Sequence, residues 1–183
     1  GVLNFCSVNA QGQRHLMGKI EVIGPCTVHD GFCFQSPNYP SSYAKNQSCT
    51  ITVTSAAGPD DILMVEAFNT VSDSDILTVG STEYSGWGGP LGVVASEGLE
   101  ITWRSSALER SSINNRRKLG FSICLVPECM HGDGAKANDG RCSCGHTSLC
   151  TPASKSYCYS PQSLCAEYPN PRKSFLTVTS GVC

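Results

Sequence analysis

The chain has no run of 18 or more apolar residues, so no segment reads as a bilayer-spanning helix. It has no surplus of basic residues either, with 13 Lys+Arg against 15 Asp+Glu and a formal net charge of −2. Nucleic acid and anionic membrane are therefore not expected partners, because both attract a basic excess. Charged residues are sparse at 15%, yet the 40% hydrophobic share is too high for a chain that stays disordered. No apolar period of 3.6 residues outlasts two turns, which argues against a helical fold. An initiating Met and a basic-then-apolar leader are both missing from the start, Gly1-Val2-Leu3-Asn4. A processed chain or a fragment fits that start equally well.

What the chain has in excess is cysteine, 12 in all. So many thiols point to disulfides, and hence to an extracellular or organelle-lumen location. Their distribution divides the chain. Cys6, Cys26, Cys33, Cys49 and Cys124 lie in residues 1–126; Cys129, Cys142, Cys144, Cys150, Cys158, Cys165 and Cys183 lie in 127–183. The cysteine-free gap from 50 to 123 holds the apolar runs. They are Ile51 and Val53, Ile62 to Val65 with Phe68, Ile76 to Val79, Leu91 to Val94, Leu99 to Trp103, and Phe121 to Val126. Each run is short, β-branched or aromatic, and bounded by Gly, Pro, Asn, Asp or Ser, as strands are. A two-layer antiparallel sandwich buries many short strands economically. Residues 1–25 read as a mixed leader with one short strand candidate, Lys19 to Ile23. The tail is rich in turns, and its apolar cluster is Phe175 to Val178. Burial alone cannot offset the chain entropy of such a segment, so disulfides worth about 2–5 kcal/mol each must help.

Residues Cys33-Phe34-Gln35-Ser36-Pro37-Asn38-Tyr39-Pro40, followed by Tyr43 and Cys49, resemble the Ser-Pro-Asn-Tyr-Pro signature of a CUB domain. Phe68-Asn69-Thr70 before Asp75 to Val79, Ile101 to Ser106, and Gly120 to Cys124 are similar to later segments of that family. The resemblance covers about residues 26–126. It implies an all-β fold: a CUB-like antiparallel β-sandwich of jelly-roll type, followed here by a small, disulfide-rich, loop-dominated module at 127–183. It also implies the pairs Cys33–Cys49 and Cys26–Cys124. Cys6 then pairs into the tail, or two thiols stay free or pair with another chain; the first is the simpler expectation.

Many CUB domains bind Ca²⁺ through three carboxylates, the oxygen donors this hard ion requires. Those positions fall on Val71, Asp75 and Ser106, with Asp73 nearby, so the site is degenerate and no metal or other cofactor is expected. The segment from Ala107 to Leu119 is longer than the family pattern and carries Arg110, Arg116, Arg117 and Lys118. A long basic loop at a sandwich end is a plausible docking element. Trp87, set among Gly86, Gly88 and Gly89, reads as an exposed anchor. Trp103 alternates with core residues and reads as buried, with an N–H that wants an acceptor.

In the tail, Cys142-Ser143-Cys144-Gly145, Cys150, Tyr157-Cys158-Tyr159 and Cys165 are similar to short cysteine-rich repeats of algal and dinoflagellate proteins. Cys142, Cys144 and His146 offer zinc-type donors, but paired Cys-x₂-Cys knuckles are lacking and disulfides are favoured. Catalytic signatures are thin. His15, His29, His131 and His146 lie in turn-like surroundings, and no Ser occupies a Gly-x-Ser-x-Gly elbow. Asn46-Gln47-Ser48 is an N-glycosylation sequon.

The sequence thus points to a non-enzymatic, disulfide-stapled module that docks through loops 81–90 and 107–119 to a protein partner, as part of a larger multi-subunit assembly. The look of the tail suggests one version, a lumenal accessory subunit of an algal membrane complex such as a photosystem in the thylakoid lumen. A glycan-binding module is an alternative, with Trp87, Tyr84 and Tyr43 stacking on sugar rings.

Overall fold

The computed structural model describes residues 7–8, 14–15, 19–54, 61–107, 118–145, 148–151 and 157–169. Cys6, Cys183, Arg110, Arg116, Arg117, His146 and the Phe175 to Val178 cluster lie outside the described residues. The chain divides into two compact units, Gly1–Leu125 and Val126–Cys183.

The first unit begins with a two-stranded ladder, β1 (Ser7–Val8) and β2 (Arg14–His15). Its body is built from β3 (Ile20–Ile23), β4 (Thr27–His29), β5 (Cys33–Gln35), β6 (Ser48–Val53), β7 (Ile62–Asn69), β8 (Ile76–Val79), β9 (Thr82–Tyr84), β10 (Glu100–Arg104) and β11 (Gly120–Val126). One sheet has the order β3-β6-β10-β8-β9 and the other β4-β5-β11-β7. The alternation in β6 and β10 places Ile51, Val53, Ile101 and Trp103 on one face, all at most 1% exposed. Leu63, Phe68, Phe121, Ile123 and Leu125 meet them from the other sheet. Aromatic edges lock the layers: Trp103 lies 5.0 Å from Tyr43 and 5.2 Å from Phe121, both edge-on. The all-β sandwich expected from the strand pattern is the fold.

Three expectations need correction. The strand candidate at Lys19–Ile23 does form, as β3, but it pairs with β6 inside the five-stranded sheet rather than belonging to a separate leader. Leu91–Val94 is not a ladder strand. Pro90 offers no N–H and Gly92 turns the chain at φ 76°, so the segment makes no ladder and meets β7 at an isolated Ile62–Val94 bridge, where Leu63 N–H donates to the Val93 carbonyl and Gly92 N–H to the Leu63 carbonyl. The disulfides are Cys26–Cys49 and Cys33–Cys124, not the pairs the CUB resemblance implied. The register decides this: Cys33 in β5 stands directly opposite Cys124 in β11. Cys26, just ahead of β4, reaches β6, where its N–H meets Cys49 Sγ at 3.0 Å.

The second unit has two short hairpins, β12 (Cys142–Cys144) with β13 (Ser148–Cys150), and β14 (Tyr157–Tyr159) with β15 (Leu164–Ala166). A 3₁₀ turn, Ser160–Gln162, joins the strands of the second hairpin. Its buried apolar cluster consists of Cys129, Cys142, Cys144, Cys150, Cys158 and Cys165. The bridges are Cys129–Cys142, Cys144–Cys158 and Cys150–Cys165. Around them the turns are tight. Gly134 has φ 72°, and a Cβ there would overlap the ring of Tyr159. Gly134→Ala combines a left-handed alanine, at about 1–2 kcal/mol, with overpacking at about 1–3 kcal/mol. It is expected to lower the stability of this unit by at least ~2 kcal/mol, read as weakened amide exchange protection over 157–166.

Candidate functional site

The register of the five-stranded sheet gathers several loops at one end. Arg104 closes β10 opposite both Ser48, where β6 opens, and Ile76, where β8 opens. Tyr84, where β9 closes, stands beside Leu77. The turns at 43–47, 70–75, 85–90 and 105–107 therefore converge.

Asp75 organises this end. It is fully buried, and both carboxylate oxygens accept hydrogen bonds: Oδ2 from the Tyr43 hydroxyl at 2.6 Å, Oδ1 from the Ser106 N–H at 2.8 Å. The Asp75 N–H donates to the Val71 carbonyl at 3.1 Å, and the Val71 N–H donates to the Tyr43 hydroxyl at 3.3 Å. Val71, Asp75 and Ser106 are thus joined, with the Tyr43 hydroxyl, through hydrogen bonds. Their chemistry is that of a clasp: an aliphatic side chain, a carboxylate with protein donors on both oxygens, and a backbone amide. Asp73 is exposed at φ 61°, and its N–H donates to Ser85 Oγ at 3.1 Å.

The clasp fixes both roots of the basic loop. Ser106 is held through Asp75 and through its carbonyl, which accepts the Asn46 N–H at 3.2 Å. At the other root Gly120 (φ 87°) packs against Ser36 and the Tyr43 ring. Of the basic residues named for docking, Lys118 is described and half-buried beside that root. Arg104, next to the first root, is exposed and lies 3.7 Å from Glu83, a surface pair of little energetic weight.

The same end displays Trp87. Thr70 N–H donates to the Gly86 carbonyl at 2.8 Å, and Gly86 N–H donates to Thr70 Oγ1 at 2.9 Å. Gly86 adopts φ 71°, and a Cβ there would press on Ser72 Oγ, so this position favours glycine. The loop is pinned while the indole beyond it stays 65% exposed. Phe68 and Val65 crowd Gly89 from below, which seats the rest of the loop on β7.

Tyr43 was expected to stack on sugars, but it is buried at 4% and serves the clasp instead. Tyr84 is half-buried against the core. Trp103 is buried as expected, yet its Nε1–H has no acceptor among the described residues; edge-on rings flank it instead. The roles of Tyr43, Thr70 and Ser105 were missed by reading the sequence. The second Tyr of the signature was the available signal, but nothing local showed that its hydroxyl would reach Asp75.

Among the described residues, three groups of side chains have metal-ligand spacing: Cys129/Cys142/Cys150, Cys144/Cys150/Cys165 and Cys33/Glu66/Cys124. Every cysteine in them is bridged and offers no thiolate. His29 is exposed, with Asp30 Oδ2 at 3.4 Å. The His131 backbone is tied to the Asn138 side chain, N–H to Oδ1 at 2.9 Å.

Comparison with protein-family models, curated proteins and solved structures returns no significant match.

Proposed function

We propose that this protein is a non-catalytic interaction module, a CUB-like sandwich with a cysteine-rich second unit, that docks to a protein partner through the Asp75 end. Ten bridged cysteines suit a secreted or lumenal, oxidising compartment. No described helix is long and apolar enough to cross a membrane. The observation that carries the docking reading is Trp87, an exposed indole on a pinned loop at the end that also roots the basic loop. A large side chain held in place loses little freedom on binding, which is why tryptophan is enriched among binding hot spots. Pinning of the two loop roots serves the same purpose, since a partner need not pay to order the scaffold.

A non-catalytic role fits the surroundings of His29, which is exposed, and of His131, whose backbone is held in a turn by Asn138. Service as an accessory subunit of a larger assembly, in an algal lumen or elsewhere, is the form of this role that the tail resemblance favours. A sugar-binding platform has less support, because of its three stacking aromatics only Trp87 is freely displayed.

Mild purification from the native source, with identification of what co-migrates, tests the reading. Trp87→Ala is then expected to weaken that complex by about 2 kcal/mol, roughly thirtyfold in Kd. Its unfolding midpoint should stay within about 0.5 kcal/mol of the parent, as for an exposed side chain. Undiminished affinity in the variant would remove this end of the sandwich as the docking surface.

A further inference from the structure

The hydrogen bonds that hold the turn ahead of β6 use neither the Asn46 nor the Ser48 side chain. Ala44 N–H donates to Gln47 Oε1 at 2.9 Å, Gln47 N–H to Ser105 Oγ at 2.8 Å, and the Ser105 hydroxyl to the Ala44 carbonyl at 2.9 Å. The Asn46 N–H donates to the Ser106 carbonyl at 3.2 Å. Asn46 and Ser48 themselves are exposed. Asn46 has φ 56°, a left-handed conformation that asparagine tolerates better than most residues. The need for that conformation accounts for an asparagine at 46. It does not account for a hydroxyl residue at 48, on the solvent-facing start of a strand, which the sequon does require.

We propose that Asn46 carries an N-linked oligosaccharide. The transfer uses a lipid-linked oligosaccharide as donor: a bond forms between sugar C1 and Asn46 Nδ2, the C1–oxygen bond to the lipid pyrophosphate breaks, and the amide gives up one proton. The bridged cysteines are consistent with passage through a compartment where this transfer occurs. The glycan then stands at Ser106, the first root of the basic loop, on the opposite side of the Asp75 clasp from Thr70 and the Trp87 loop. It narrows the docking end proposed above to the Trp87 side. The glycan itself is read without any partner, so its absence and the failure of docking are separate results.

The test is secretion of the full chain from a eukaryotic host, alongside the protein from its native source. Both should carry one oligosaccharide, and amidase treatment should leave aspartate at 46 in the peptide map. Asn46→Asp keeps a residue that accepts the turn's φ and should abolish the modification. Ser48→Ala keeps Asn46 and should abolish it too, with an unchanged unfolding midpoint, whereas Ser48→Thr should retain it. A bare Asn46 in the secreted chain overturns the proposal. So does a native protein left bare at Asn46, because that places its maturation on a route without the transfer.

Discussion

Asp61→Ala is expected to destabilise the sandwich by about 3–5 kcal/mol, the usual result of leaving one member of a buried ion pair alone. Lys19 Nζ lies 2.6 Å from Asp61 Oδ2, with the two side chains only 7% and 1% exposed. The residues stand at structural joints: Lys19 directly before β3, Asp61 directly before β7. Their backbones are also engaged, Lys19 through the Thr54 N–H and Asp61 through the Ala95 N–H, at 2.9 and 2.7 Å. Losing the carboxylate leaves an ammonium without its counter-ion in a site that water barely reaches. Lys19→Met alone takes the ammonium away from the buried carboxylate and is expected to cost a similar amount. The double variant Lys19→Met, Asp61→Leu removes both desolvation penalties and should recover most of the loss. Urea unfolding midpoints of the four proteins, with disulfides intact, form the cycle that checks this. A double variant no more stable than the singles would show that the pair is a source of stability in its own right.

The second large effect concerns the sulfur cluster. Cys150→Ser with Cys165→Ser should unfold the second unit at 37 °C while leaving the sandwich intact. A bridge in a small module is worth about 2–5 kcal/mol, and a closed loop of some 15 residues about 3 kcal/mol in the chain-entropy view. Among the described residues the buried apolar cluster of this unit is made of cysteine, with Tyr159 the buried aromatic beside it, so little hydrocarbon burial there stands behind the missing bridge. Hydrogen exchange resolved by peptide should show protection lost over 142–166 and kept over 48–53 and 120–126. The single variant Cys165→Ser should behave differently. Cys150 Sγ lies within 4.8 Å of the sulfurs of Cys129 and Cys142, and equally of Cys144. Its freed thiolate can attack a neighbouring bridge, forming a new bond to one sulfur and releasing the other as thiolate. A non-reducing peptide map should therefore find Cys150 joined to one of these neighbours. If Cys150 stays free beside two intact bridges, the sulfurs are not in exchange reach and the close clustering is incorrect.

Much of the strand inventory was legible because it rests on local rules. β6, β7, β8, β10 and β11 sit where short β-branched and aromatic runs occur between turn residues. Trp87 was legible too, since three glycines leave an indole little to pack against locally. Leu91–Val94 had the same apolar look but failed as a strand, through the Pro and Gly that punctuate it. Lys19 gave no sign of burial, because its partner is 42 residues away. The hydroxyl of Tyr43 that links Asp75 and the Val71 backbone was not foreseen.

By itself, the sequence determined the fold class, the division near residue 126 and the oxidising compartment. These follow from composition, period-2 patterning and cysteine count, which are properties of residues and their near neighbours. Only the tertiary structure decided which cysteines pair, that Tyr43 faces Asp75 and not solvent, and that Trp87, Asn46 and both roots of the basic loop share one end. Those outcomes depend on strand register and on sheet packing, which bring together residues 13 to 91 positions apart. No local pattern encodes a distance of that kind, so the pairing rules of the sheets had to be seen.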